Sequence, residues 1–551
     1  MRDSPSFAAI SAASPPAQAI PPLVQLFAWL AGIRLCVYGL FEKIPAWSYA
    51  YALTLLLLLA VAPVCWRGRL RRQTGATTPP VEPTSRGRRI ATAVLLAGCS
   101  WGVSDWTAQI IGDWPPAYHD EYSYLFQAKT FLAGRTWFPS HPTHPELFDQ
   151  VHVLNDNGRM ASRYFPGTGA WMAPFVAMNR PYWGHWICGM FATLCIYAAG
   201  CEIGNERTGL IAGLLTALSP GLALFSNLLL AHHPTLLGLS FFVWRMSRFE
   251  RTLSWWDAVT ASLGLSWAML CRPMTAAGFG LPFGLWTAWW LIRGSAPILQ
   301  RVNALLGFAV PIVVGLGIQL GYNASITGSP WTSPYQLYTD VYTPRHVYGF
   351  NNVVRGEQHL GPKVLDSYDR WAENLTPELA ARNVGTRLYF STLWTWDLLP
   401  LAMISVISLA WIWRFDRRVQ LVFWAIVSLH AVHIPYWYAG IMGWHYVFET
   451  SILWTLLSAV ICDRLWQDWR IAGRSLMPWW LAALGMVTLA GNFVTVPDLW
   501  IAKLAQEIPP IRYPRRMHGE FRGWVQGVVG EGPGLVLVAP HSQDRHLDYV
   551  V

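Results

Sequence analysis

The chain has 551 residues, 53% of them apolar and 13% charged, with a net charge of +9. That charged share is about half the usual figure for a soluble globular chain, which argues against a string of soluble domains. The positive charge gathers mainly in one short loop, so it does not mark a nucleic-acid binder. The eight cysteines (Cys36, Cys65, Cys99, Cys188, Cys195, Cys201, Cys271, Cys462) lie in or beside apolar stretches and outline neither a disulfide framework nor a zinc site.

Residues 1–20 are rich in Ala, Pro and Ser, with no basic start followed by an apolar run, and read as a disordered tail rather than a cleaved leader. Residues 21–497 carry repeated apolar runs of about 18 to 22 residues, each long enough to cross a bilayer core. Pro22 to Phe41, Ser48 to Trp66, Ala91 to Gly112, Trp183 to Cys201 and Asn303 to Tyr322 are examples. Many of the 33 Trp and 21 Tyr residues sit at run ends, among them Trp289, Trp290, Trp394, Trp396, Trp411, Trp413, Trp479 and Trp480. Such rings favour the headgroup zone, where one edge is apolar and the other wet. The expected fold is an all-α polytopic membrane protein of about thirteen spanning helices, its external loops carrying short interfacial helices.

Between the second and third runs lie Arg67, Arg69, Arg71, Arg72, Arg86, Arg88 and Arg89 with a single acid, which puts that loop in the cytoplasm. Arg245/Arg248/Arg251, Arg293/Arg301, Arg414/Arg417/Arg418 and Arg464/Arg470/Arg474 then fall at alternate ends. The long segments 113–169 and 323–394 therefore face outward.

The first of these loops reads Trp114-Pro115-Pro116-Ala117-Tyr118-His119-Asp120-Glu121-Tyr122-Ser123-Tyr124 and continues through Lys129 and Leu132 to Gly134-Arg135. The two prolines end the preceding helix, and Asp120 stands where an N-cap would open the next. Leu125, Ala128, Phe131 and Leu132 keep helical spacing and form an apolar stripe suited to the membrane surface. Acids at a helix start are ordinarily caps favoured by the helix dipole. Here the same loop goes on to Arg159 and to Ser162-Arg163-Tyr164-Phe165-Pro166-Gly167, adding cations to the carboxylates. The apolar stretch Thr168 to Met178 is too short to span and reads as re-entrant or interfacial. The second loop, rich in Tyr, Trp and Arg, reads as a folded lid. Asn323-Ala324-Ser325 and Asn374-Leu375-Thr376 match glycosylation acceptors, a pattern common by chance. The tail 498–551 is expected outside as a small soluble segment, with one short strand at Gly534 to Val538.

On these motifs the chain resembles the GT-C glycosyltransferases, closest to the dolichyl-phosphate-mannose–protein mannosyltransferase and aminoarabinose-transferase type. The resemblance runs over residues 90–450 and rests on Asp120-Glu121 in the first external loop, Tyr124, and the Tyr164-Phe165-Pro166-Gly167 turn before a short apolar helix. Leu230-Ala231-His232-His233-Pro234, Cys271-Arg272-Pro273, Tyr322-Asn323 with Thr327-Gly328-Ser329-Pro330, Ser333-Pro334-Tyr335, and Gly443-Trp444-His445-Tyr446 add to it. The family's first loop usually follows the first span, whereas here two extra helices precede it, and His445 stands where the family often carries Arg.

The resemblance implies inverting sugar transfer from a polyprenyl-phosphate-linked donor, the co-substrate, to an acceptor lipid, glycan or protein. It implies an integral membrane protein of the bacterial plasma membrane, with its site on the periplasmic or external face. In that reading Asp120 is the base. Glu121 orients the acceptor, holds Asp120 or helps bind a divalent metal, whose requirement stays open. Lys129, Arg163, Arg272 and His445 would meet the leaving phosphate, and Tyr124, Tyr164, His233 and Tyr446 complete the substrate-binding set. A flippase or transporter of a lipid-linked substrate, a surface-polysaccharide polymerase or ligase, and a membrane scaffold are the alternatives. The gathering of acids outside the spans favours the enzyme.

Overall fold

The computed structural model describes residues 85–352, 369–396, 415–471, 492–495 and 501–530, with Ile412 and Val536. The two runs expected before residue 85, the arginines between 67 and 72, Arg414, Arg474, Trp411, Trp413, Trp479, Trp480 and the expected strand at 534–538 (Val536 apart) lie outside those residues.

The first described helix, α1 (Arg86–Ile111), opens on Ser85, whose hydroxyl accepts the Arg88 amide at 3.4 Å. It closes at Gly112 with φ 91°, a conformation glycine adopts without Cβ strain. The chain then forms α2 (His119–Leu132), a three-stranded sheet and α3 (Pro166–Ala177). The long helices follow: α4 (Pro181–Ile203), α5 (Glu206–Ala217), the single-turn α6 (Pro220–Phe225), α7 (His232–Thr252), α8 (Trp255–Cys271), α9 (Pro273–Arg293) and α10 (Ile298–Thr327). Then come α11 (Pro334–Tyr342), α12 (Pro377–Trp396), α13 (Arg417–Val432), α14 (Thr450–Ile471), α15 (Lys503–Glu507) and α16 (Pro509–Val529).

Close glycine contacts set the core crossing. A Cβ on Gly264 would stand 2.6 Å from the Gly238 carbonyl oxygen, so α7 and α8 meet backbone to backbone there. Their neighbours α4 and α10 complete a continuous apolar core with α13 and α14. By length and hydropathy alone, two described helices suffice to cross a membrane, Pro181–Ile203 and Ile298–Thr327. Only 22% of the most apolar window of α10 is buried in the protein, leaving Leu305, Leu306, Val310, Val313, Val314 and Ile318 exposed. A bare apolar face of that length is what a bilayer covers. The other long helices carry charges at their ends and polar side chains on their packed faces, which lowers their hydropathy; the figure of about thirteen spans rests on the sequence.

The charges sort to two ends of the bundle. At one, Arg89 pairs with Glu206, Arg251 with Glu202 at 2.8 Å, Arg207 with Asp463 at 2.5 Å, and Arg245 with Asp257. These are arginines or neighbours of arginines that the sequence placed in the cytoplasm. The other end holds the first external loop.

Beyond its expected helix that loop holds a sheet: β1 (Phe138–Pro139), β2 (Val153–Asp156) and β3 (Arg159–Ser162) pair antiparallel in the order β1-β3-β2, with Leu154 opposite Ala161, and two expectations for the loop need correcting. Asn157 (φ 48°) and Gly158 (φ 74°) make the tight turn between β2 and β3. The N-cap of α2 is Tyr118, not Asp120. And the stripe of α2 packs on protein rather than on lipid: Ala128 is fully buried, Leu125 and Phe131 pack against buried clusters, and Leu132 alone of the four is exposed. Asn323 is likewise no acceptor, being buried at the end of α10 with its amide donating to Pro330 O at 2.9 Å.

Candidate active site

Asp120 and Glu121 are adjacent, and a helix sends successive side chains about 100° apart, so the two carboxylates go to different places. Glu121 turns inward and is fully buried. Its Oε2 accepts the amides of Ala117 (3.1 Å) and Tyr118 (3.2 Å), which caps α2. Its Oε1 accepts the Leu229 amide and an Arg515 guanidinium N–H, both at 2.9 Å. With four donors the carboxylate is saturated, so neither an acceptor nor a metal finds an open lone pair on it. The expected catalytic or metal-binding part of Glu121 does not fit this geometry. Among the described residues no group of three or more His, Cys, Asp or Glu gathers as metal ligands would.

Asp120 faces the other way and keeps 32% of its side chain exposed. The Tyr164 hydroxyl donates to its Oδ1, and His152 Nε2 stands 3.6 Å from its Oδ2. His152 Nδ1 lies 3.2 Å from Arg163 NH1. A guanidinium only donates, so in this contact His152 Nδ1 is the acceptor. Burial raises the Asp120 carboxyl above its ordinary range, and the Tyr164 hydrogen bond and the Arg163 charge pull it part of the way back.

Arg163 is 3% exposed and occupied on several sides. It reaches Thr339 Oγ1 at 3.3 Å and lies 3.9 Å from the Tyr335 ring centre and 4.4 Å from that of Tyr338. The sheet explains its position, since Arg163 follows β3 and its amide donates to the His152 carbonyl beside β2 at 3.2 Å. Tyr164 stacks on Tyr124 with ring centres 4.3 Å apart.

A second half of the site lies across Tyr124, on which the charges of Asp120 and Arg272 act in opposite senses. Arg272 joins α8 to α9 and donates to Glu449 at 2.6 Å and to the His445 carbonyl at 3.2 Å. His232 Nε2 donates to the same carbonyl at 2.9 Å. Arg387 fixes the loop around His445 by donating to the carbonyls of His433, Tyr436, Tyr438 and Ala439. Tyr446 packs on the His445 ring at 3.9 Å, and Tyr438 stands edge-on to it at 6.1 Å.

Of the sequence-predicted residues, Asp120, Tyr124, Arg163, Tyr164, Arg272, His445 and Tyr446 thus line one region. Two do not join it. Lys129 is exposed on α2, nine residues past Asp120 and roughly 13 Å further along the axis. His233 is buried inside the bundle between His185 and Phe448. The sequence reading missed His152, Tyr338, Glu449 and Arg515, and quoted Tyr335 in a motif without giving it a place in the site. Only His152 had a local signal: Asn157-Gly158 between two short runs marks a hairpin that brings it beside Arg163.

No protein-family model and no curated protein matches the chain. Among solved structures it is similar to the Archaeoglobus fulgidus oligosaccharyltransferase in the apo form, at 11% identity and a TM-score of 0.47, over 81% of this chain and 59% of that one. ArnT from Cupriavidus metallidurans in the apo state is similar at 12% identity and a TM-score of 0.46, over 80% and 69% of the two chains. Arabinosyltransferase EmbB from Mycobacterium smegmatis is similar at 13% identity and a TM-score of 0.39, over 87% and 42%. Likenesses this distant transfer no role to any residue here.

Proposed function

We propose that the protein transfers a sugar from a polyprenyl-phosphate donor to an acceptor at the outer membrane face, with Asp120 as general base. The observation that carries this reading is the Asp120 carboxylate itself: accessible, held by the Tyr164 hydroxyl with His152 alongside, and set apart from the saturated Glu121. A neutral hydroxyl or amine is a weak nucleophile until its proton is drawn off, and a carboxylate with a raised pKa is better matched to that task.

The leaving phosphate gains negative charge, which guanidinium groups stabilise in a partly dry site. Arg272 supplies that charge; His445, kept neutral by burial and by the Arg272 and Arg387 charges, supplies a hydrogen-bonding ring beside it, while Arg163 acts on Asp120 by its charge. The phosphate role of Lys129 is withdrawn on its exposure, and that of His233 as a substrate contact on its burial. Beside the site an apolar cavity of about 480 Å³ lies between α3 and α10, lined by Phe131, Pro166, Ala173, Ile318 and Tyr322. Its wall residue Tyr322 donates to the Tyr164 carbonyl at 3.2 Å, so the space suits a prenyl chain whose phosphate end reaches the polar cleft.

The test is incubation of the purified chain with a panel of polyprenyl-phosphate sugars and candidate acceptors. The proposal expects release of free polyprenyl phosphate in step with a glycosylated acceptor of inverted anomeric configuration. Transfer with retention of configuration, or a folded protein that releases phosphate from no donor, contradicts it.

A further inference from the structure

The basic helix α16 comes from the tail, whose charges no part of the proposed chemistry uses. One of its arginines is anything but peripheral. Arg515 is 2% exposed, and its NH2 group donates both to Glu121 Oε1 (2.9 Å) and to the Asn227 carbonyl (2.6 Å). The Tyr182 ring lies 5.4 Å from its guanidinium carbon. Around it α16 is fitted to the loop: His518 Nδ1 meets the Pro116 carbonyl at 3.1 Å, Arg522 donates to the Tyr122 hydroxyl at 3.2 Å, and Gly519 lies against Trp114 and Pro115.

A buried ion pair adds little net stability, because desolvation offsets the attraction, but it fixes direction. Here two directions matter. The four hydrogen bonds of Glu121 tie the first turn of α2 to 117–118, to the 226–231 segment and to α16, and Asp120 is its chain neighbour. Asn227 belongs to the segment that leads into His232, which holds the His445 carbonyl together with Arg272. One guanidinium therefore bridges the half of the site that carries the base and the half that carries Arg272 and His445.

We propose that Arg515 is a positioning residue for the transfer reaction: through Glu121 and Asn227 it sets Asp120 relative to the Arg272–His445 half. This rests on the proposed function for its kinetic consequence, but not for its structural one. An ångström of displacement of a catalytic group costs up to about a hundredfold in rate, and loss of Arg515 leaves the link from Glu121 to the 226–231 segment to the Leu229 amide.

The experiment uses the full chain in detergent, comparing native protein with Arg515→Gln and Arg515→Lys by amide hydrogen exchange and by donor-dependent transfer. In Arg515→Gln the amides of 117–124 and 227–229 are expected to exchange at least tenfold faster while those of α7 and α14 keep their protection. At the same time kcat should fall by about tenfold or more with the donor KM little changed, and the lysine variant should recover part of that loss. If Arg515→Gln does not fold, the charge-neutral pair Glu121→Gln/Arg515→Gln is read in the same way. Native exchange at 117–124 and 227–229 in a folded variant overturns the proposal, as does a native kcat beside loosened amides. Loosened amides in a protein whose native form transfers no sugar uphold the bridge and sink the transferase reading instead.

Discussion

A carboxylate serves as a base only while its proton is off, so the neighbours of Asp120 decide the pH range in which it works. Burial raises its pKa, and the Tyr164 hydroxyl and the Arg163 charge lower it again. Removing the hydroxyl in Tyr164→Phe leaves burial less opposed, so the carboxyl titrates higher. The acidic limb of the kcat/KM profile should then move to higher pH, with the variant losing most at the acid end. A profile lowered evenly at every pH would show that Tyr164 only packs against Tyr124. At this scale the sequence was legible where residues adjoin: Pro115-Pro116 followed by Asp120-Glu121 announced a helix start with acids. The separate fates of the two acids were not, because the partner that claims Glu121 lies 394 positions away. Lys129 drew notice by its charge alone, and nothing in its spacing told that it faces out.

At the scale of elements, close packing rather than polarity sets the bundle. Gly264 touches the backbone of α7, so Gly264→Ile drives a side chain into the Gly238 carbonyl. Overpacking of this kind costs about 1–3 kcal/mol or more, and the unfolding midpoint in detergent should fall. Gly317 on α10 has open space where its Cβ would stand, so Gly317→Ala should leave the midpoint level or raise it. Equal loss in both variants would contradict the crossing described for α7 and α8. Apolar runs made α4 and α10 readable by length and hydropathy alone, while α1 was readable from the run Ala91 to Gly112 behind its arginine-rich start. The sheet of the first loop was not read, although Asn157-Gly158 marks it. Its strands span four residues or fewer and are held by contacts with α2 and α11 rather than by their own pattern.

For the whole molecule the central matter is sidedness. Arginine counting assigned one end of the bundle to the cytoplasm, and Arg89, Arg207, Arg245, Arg251 and Arg418 do share one end, each paired with an acid or a carbonyl. Lys129 and Arg88 are both exposed, one beside the first loop and one at the arginine end. In a chain stripped of its native cysteines, an impermeant thiol reagent added outside intact cells should label Lys129→Cys. Arg88→Cys should label only after permeabilisation. Labelling of both from one side would break the link between the charge pattern and the fold. The tail of the chain was placed outside by the sequence but given no partner there. Its role depends on Arg515 meeting Glu121 and Asn227, a relation that arises only when the bundle has closed.

The most direct test of the account is sugar transfer from polyprenyl-phosphate donors by native protein and Asp120→Asn, run beside an unfolding curve for each. Asparagine keeps the size of the side chain and its hydrogen-bonding oxygen but takes no proton. The account predicts a loss of about a hundredfold or more in transfer, the contribution expected of a general base, with the unfolding midpoint little changed. Transfer at the native rate by folded Asp120→Asn would contradict it.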